Sequence, residues 1–344
     1  MRLWDHPFSE NDLRQCLRVA AGATLGFIFC KFFNFSFGVF FVIMPVMLLG
    51  LVPVLSGHAV RQLLASGVVT GLEIGLVGGL LGGHPGAMTI VVFILFMSKF
   101  YCMAKGPLFF FGVNCMLSLN IMLNFASYQV TDVSGYIVTN FTANLVGVAI
   151  AYLMYWLIPD AEPRAPLPRT AEPKGTHRVR HEVLLGSLVA TVSFVVFQVF
   201  NLSDSMSAQS TTVLLLFRMN WNGALGYAQK RAMGVLLGVG YGLLAQFILY
   251  DRSGDFVLII LVLFIGAMLF SYLHIKEGAG SGVGFGGLTT MGILFGQYLT
   301  PNSDLMFSAL YRISSILFAI VASLAVIFVV HRLLNSFEVT HYGE

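Results

Sequence analysis

Runs of about 20 apolar residues follow one another along almost the whole chain, and a soluble fold has nowhere to bury so many. Charge tightens the constraint. Of 344 residues, 57% are apolar and only 10% are charged, against the roughly 25% that a typical soluble domain carries. A larger soluble core would still need a charged surface, whereas a bilayer removes the need. The runs resolve into twelve expected helices, at roughly 14–33, 37–55, 61–82, 87–104, 107–127 and 135–158, then roughly 181–200, 206–221, 228–250, 256–274, 280–299 and 307–334. The expected class is an all-α polytopic membrane protein with about 12 transmembrane helices.

The chain also repeats itself. Gly67-Val-Val-Thr-Gly71-Leu-Glu-Ile-Gly75 recurs as Gly234-Val-Leu-Leu-Gly238-Val-Gly-Tyr-Gly242, and at the same offset of 167 positions Phe33-Asn34-Phe35-Ser36 recurs as Phe200-Asn201-Leu202-Ser203. The offset grows to 171 for Tyr101 with Tyr272 and Lys105 with Lys276, which places an insertion in the outer loop at Tyr250–Asp255, where added length costs little. Two similar halves of six helices each follow. The expected organisation is a leader at 1–12, a first repeat at 13–158, a Pro-rich linker at 159–180, a second repeat at 181–335 and a tail at 336–344.

Sixteen of the 19 lysines and arginines fall on one side of such a chain, and only Lys31, Arg252 and Arg312 on the other. By the positive-inside rule the leader, linker and tail are cytoplasmic. An even number of spans per half threads both halves the same way up, so the repeats are expected to be parallel, with any path between them. The polar leader lacks a cleavage site. The linker, with its alternating prolines and charges, is expected to be extended and solvated.

Several residue patterns carry candidate chemistry. Gly67, Gly71 and Gly75, like Gly234, Gly238 and Gly242, lie on one helix face, a spacing that lets helices approach closely in lipid. Glu73 reads as the sole carboxylate inside a span, and its burial there costs roughly 2.5–3.5 kcal/mol, which marks it as a candidate proton carrier, as the structural partner of a span-edge arginine or a hydroxyl, or as a residue near a water-filled cavity without a role. Arg312 begins the last helix, where it either binds a carboxylate or snorkels to the interface. Lys31 reads more simply as a snorkelling residue. Arg61, Arg218, Lys230 and Arg231 form a candidate anion funnel on the inner side, although topology alone also accounts for basic residues there. The fifth helix of the first half carries Asn114, Ser118, Asn120 and Asn124, with Ser127 on the same face as the last two. Its counterpart holds the run Gly278–Gly287, including Gly282 and Gly286, followed by Thr289, Thr290 and Gln297. So many glycines make a poor continuous helix, and both fifth helices are expected to line a wet path; amide pairing between helices is the rival reading. Pro45 should kink the second helix, and Gln209–Thr212 in its counterpart either face a substrate or bond backbone carbonyls.

The four cysteines and eight histidines show no metal-ligand or disulfide spacing. No nucleophile–base arrangement and no ATP-binding motif stands out. The expectation is therefore no enzyme, no cofactor, no metal and no nucleic-acid partner.

Two six-helix halves, Arg14 and Arg18 leading the first helix, Arg180 leading its counterpart, Arg61 and Lys230-Arg231 entering the glycine-spaced third helices, and the run Tyr311-Arg312-Ile-Ser-Ser315 together resemble the fusaric-acid-resistance superfamily, which includes the bacterial aromatic acid exporters. The likeness runs from about 13 to 335. Many members carry a large cytoplasmic domain, and this chain has only the linker, as in compact members that work with a periplasmic adaptor of the membrane-fusion type. The resemblance implies an inner-membrane secondary exporter of small anionic or amphiphilic compounds, aromatic ones included, driven by the proton gradient. Plant organic-anion channels have a similar helical plan, so a passive anion channel is the alternative, and a non-transporting scaffold for an adaptor is the third.

Overall fold

The computed structural model describes residues 8–35, 38–52, 54–126, 132–164, 174–202, 206–249, 252, 254–278, 281–295 and 305–342. Their regular structure is helical throughout: α1 (Glu10–Phe32), α2 (Gly38–Leu51), α3 (Gly57–Leu81), α4 (Pro85–Lys105), α5 (Phe109–Ala126), α6 (Val133–Leu157), α7 (Thr176–Val199), α8 (Met206–Leu216), α9 (Trp221–Leu249), α10 (Phe256–Glu277), α11 (Val283–Ile293) and α12 (Leu305–Asn335), with a 3-10 turn at Glu338–Thr340. Among the described residues nine of these are long and apolar enough to cross a membrane, while α2, α8 and α11 are shorter. The chain is a multi-pass helical membrane protein. Ser127, Gln297, parts of the outer loop at 250–255, and the expected leader, linker and tail at 1–7, 165–173 and 343–344 lie outside the described residues.

Local chemistry sets the helix ends. Ser9 and Asp12 form a reciprocal capping box, which starts α1 earlier than its apolar run. Pro85 opens α4, and Asp255 caps α10 by accepting from the Leu258 amide at 3.2 Å. The repeated Phe-Asn pair is a helix stop. Asn34 and Asn201 adopt φ of +52° and +50°, and the next amide bonds back five residues in each case, Phe35 to the Cys30 carbonyl and Leu202 to the Phe197 carbonyl, both at 3.0 Å. Asparagine tolerates the left-handed conformation that such a terminus requires.

Two expectations change. α7 begins at Thr176, inside the stretch read as linker, because Glu182 gathers Lys174 at 2.6 Å and Arg178 at 3.1 Å around its first turns. The described start of the linker is not loose either. Asp160 receives Arg18 at 2.6 Å, the Pro159 carbonyl receives Arg14 at 2.7 Å, and Asn11 accepts from the Ala161 amide at 2.7 Å. Proline-rich composition predicts extension, but these polar contacts strap residues 159–164 along α1.

The helices gather in two compact units, each drawn from both halves of the sequence. The first comprises residues 1–60, 142–167 and 229–314. Here α1 packs along α2 and α10, and α10 along α11. Pro45 lies inside α2 and has no amide hydrogen for the Phe41 carbonyl, one turn earlier. Gly26 of α1 sits against that carbonyl, since a Cβ there would stand 1.9 Å from its oxygen. The second unit comprises residues 61–141, 168–228 and 315–344, in which α4 packs on α5 and α7, and α8 on α5 and α7.

Candidate functional site

In the second unit α5 presents a buried polar face. Asn114, Ser118, Asn120 and Asn124 are each 1% exposed. The Asn114 amide donates to Ser66 of α3, the Asn140 amide to Ser118 at 3.1 Å, and the Gln198 amide of α7 to Asn124. Gln209 of α8 donates to the Asn120 backbone carbonyl at 2.9 Å. The Asn120 side chain differs from its neighbours: neither its amide nitrogen nor its oxygen has a hydrogen-bond partner, and the Gln209 side-chain oxygen also lacks one. A buried polar atom left so costs about 1–3 kcal/mol, which a hydrogen-bonding guest or water would recover. The neighbouring hydroxyls of α8 take the commoner of their two expected uses, with Thr211 donating to the Ser207 carbonyl at 2.8 Å and Thr212 to that of Ala208 at 3.4 Å.

Glu73 is not alone. Lys99 of α4 donates to one of its carboxylate oxygens, and the other oxygen is buried without a partner. Counting 1.5 Å per residue from the α3–α4 turn, Glu73 lies about 12 Å and Lys99 about 21 Å along their helices. Side chains tilt toward the N-terminus of their own helix. The two side chains meet although they sit at different distances from that turn. The Glu73 side chain is 17% exposed, and those of Glu182 and Glu277 are more deeply buried, at 1% and 4%.

In the first unit the glycine run does form a helix from Val283 onward. Its glycines are contact surfaces: a Cβ at Gly284 would meet the His274 backbone nitrogen at 2.1 Å, and one at Gly287 the Phe270 ring at 2.1 Å. From α9, Gly234 sits against the Val283 and Gly282 carbonyls, and Gly238 against Thr290. The second ladder is therefore a packing face. The first is not its equal, since Gly71 meets Ile137 at 3.0 Å but Gly75 faces open space. Gly282, Gly286, Thr289 and Thr290 are all buried. Arg231, 1% exposed, donates to the Gly286 carbonyl at 3.3 Å and to the Thr289 hydroxyl at 2.7 Å. Glu277 accepts from Ser281 at 2.6 Å and from the Val283 and Gly284 amides at 2.9 Å, and Lys230 stands 3.5 Å from its other oxygen.

The four funnel candidates thus divide. Lys230 and Arg231 serve the α10–α11 corner of the first unit. Arg61 is exposed, and Arg218 is half-buried over the Tyr227 ring at 5.4 Å, both in the second. Arg312 is 4% exposed. Lys31, with Phe27, Phe32, Phe256 and Ile259, lines an open cavity of about 320 Å³. Sequence reasoning missed Asn140, Gln198 and Gln209 as partners of α5, although each is an amide within an apolar run, and placed Lys99 with the inner basic residues rather than opposite Glu73. Among the described residues no three His, Cys, Asp or Glu gather to hold a metal ion.

Compared with known families, residues 15–154 match a family model described as a protein of unknown function (DUF2955). No curated protein and no solved structure matches the chain.

Proposed function

We propose that this chain is a secondary transporter of a bacterial inner membrane that moves small carboxylate-bearing or amphiphilic compounds, in the export role that its resemblance implies, with both termini cytoplasmic and with a periplasmic adaptor as a candidate partner. The observation that carries the reading is the buried polar face of α5, where Asn120 keeps an unpartnered carboxamide among apolar helices. Ionisable and amide groups at membrane depth are expensive and mark pathways. Glu73 is the proton-coupling residue in this reading, because it is a part-buried carboxylate inside a span, with one buried oxygen that has no hydrogen-bond partner.

Two parallel six-helix repeats form the frame. Supporting this, α1 packs on α10 in one unit and α7 on α4 in the other, and these pairs are counterparts at the repeat offset. The family match at 15–154 also spans nearly the whole first repeat.

The test is flux of radiolabelled benzoate in proteoliposomes. Wild type should show saturable flux, and Asn120→Leu should lose at least tenfold while staying monodisperse. Undiminished flux in Asn120→Leu would remove α5 from the path. The face of α5 is uncharged, which also suits a passive anion channel; steady current across a planar bilayer without a proton gradient would select that reading instead.

A further inference from the structure

The ion pair between α3 and α4, with Lys99 buried and the Glu73 side chain 17% exposed, is only half satisfied. Lys99 is 4% exposed, and an ammonium has three hydrogens to donate, yet its partners are one oxygen of Glu73 and the Phe111 ring, 5.8 Å away. The second Glu73 oxygen is buried with no donor. A buried ion pair repays its desolvation only when its remaining hydrogens and lone pairs are also bonded. Here two ammonium hydrogens and one carboxylate oxygen stand unused at the same spot. Among the described residues, the thiols of Cys102 on α4 and Cys115 on α5 interact with the pair.

We propose that Lys99 is the binding residue for the carboxylate of a small monocarboxylate, and that Glu73 is the internal carboxylate which the substrate replaces. The exchange balances in charge. At rest the site holds one ammonium and one carboxylate and is neutral. When a proton adds to the free oxygen of Glu73, Lys99 is left a lone buried cation. When an anion arrives without the proton, the site holds a lone buried negative charge. Both are penalised in a low-dielectric interior. Proton and anion together restore neutrality: the proton rests on Glu73, the incoming carboxylate accepts from Lys99, and the Phe111 ring lies beside the ammonium. Proton and anion therefore bind with positive, reciprocal coupling, one for one. For transport, a consequence that rests on the reading above, the two cross in the same direction. Export then runs on the outward gradient of the acid itself, and an inward proton gradient opposes it, the reverse of what the resemblance implies.

The experiment uses the full-length protein in nanodiscs, with benzoate as the probe, by calorimetry in buffers of different ionisation enthalpy. Wild type should take up about one proton per benzoate, and affinity should rise about tenfold per unit fall in pH. Glu73→Gln, which mimics the protonated state, should bind at least tenfold tighter at pH 8 and lose both the proton uptake and the pH dependence. The double variant Glu73→Gln/Lys99→Met removes both charges, so it should remain folded with a thermal midpoint near wild type, and it should not bind. Benzoate binding without proton uptake, Glu73→Gln binding no tighter than wild type, or retained binding by the double variant would each overturn the assignment. Coupled binding with no flux in vesicles would sink the transport reading and leave this site standing. Flux with no proton uptake would do the reverse.

Discussion

Gly26 shows how much one hydrogen atom can matter in this molecule. Pro45 deprives the Phe41 carbonyl of its usual amide, and α1 reaches that carbonyl through a residue without a side chain. Gly26→Ala would put a methyl 1.9 Å from a backbone oxygen, which cannot rotate aside. The expected cost is about 1–3 kcal/mol, typical of overpacking, read as a fall in thermal midpoint. Gly75→Ala, at a position facing open space, should leave the midpoint unchanged or raise it. Both glycines lie in apolar helices and look alike in the sequence. Glu73 teaches the same lesson. Its presence at membrane depth was legible, but its partner was not, because Lys99 lies 26 positions away on another helix and no spacing rule pairs the two.

Two helix starts are tied down by segments that follow distant helices. On α1, Arg18 is fully buried, reaches Asp160 at 2.6 Å and the Ile158 carbonyl at 3.3 Å, and stacks over Tyr155 at 4.1 Å. Arg18→Met should cost about 1–3 kcal/mol, as loss of charge-assisted hydrogen bonds to a part-buried carboxylate and carbonyl does, and should speed proteolysis at 159–164. On α7 the hydrogen bonds assign themselves. The Thr340 carbonyl can only accept, so His181 donates to it from Nδ1 at 2.7 Å; its Nε2 then accepts from His331 Nδ1 at 2.9 Å, and His331 Nε2 accepts from the Asn335 amide at 3.1 Å. Asn335 in turn accepts from the Tyr342 amide at 3.0 Å. The chain closes only with both rings neutral. A further proton sets N–H against N–H, so the tail should loosen as pH falls through the ordinary imidazole range near about 6.5. Hydrogen exchange at residues 338–342, corrected for its intrinsic pH dependence, should be faster at pH 5.5 than at 7.5; equal protection would dismiss the latch. The sequence signals were present for α1, in its capping box, but not for α7, whose first turn is held by residues about 160 positions away.

At the scale of the whole molecule, each compact unit needs helices from both halves of the chain. Residues 1–167 and 168–344, expressed separately, should each fail to give a stable product, and co-expressed they should assemble into a complex that purifies together. Stable, monodisperse halves would show that the units do not depend on the exchange. What the sequence by itself determined is the solvent and the parts. A charge content of 10% with successive apolar runs admits only membrane helices, since backbone groups in lipid must bond within their own segment. The repeated Phe-Asn pair marks equivalent helix ends because left-handed termini are a local, nearest-neighbour demand. Tertiary structure alone decided which helix meets which: that α1 joins α10, that Gly234 and Gly238 are buried against α11 while Gly75 is not, and that Lys99 rather than a span-edge arginine answers Glu73. Apolar helices in a bilayer present nearly uniform surfaces to one another, so partner choice falls to close packing and to a few polar contacts between residues far apart in the chain.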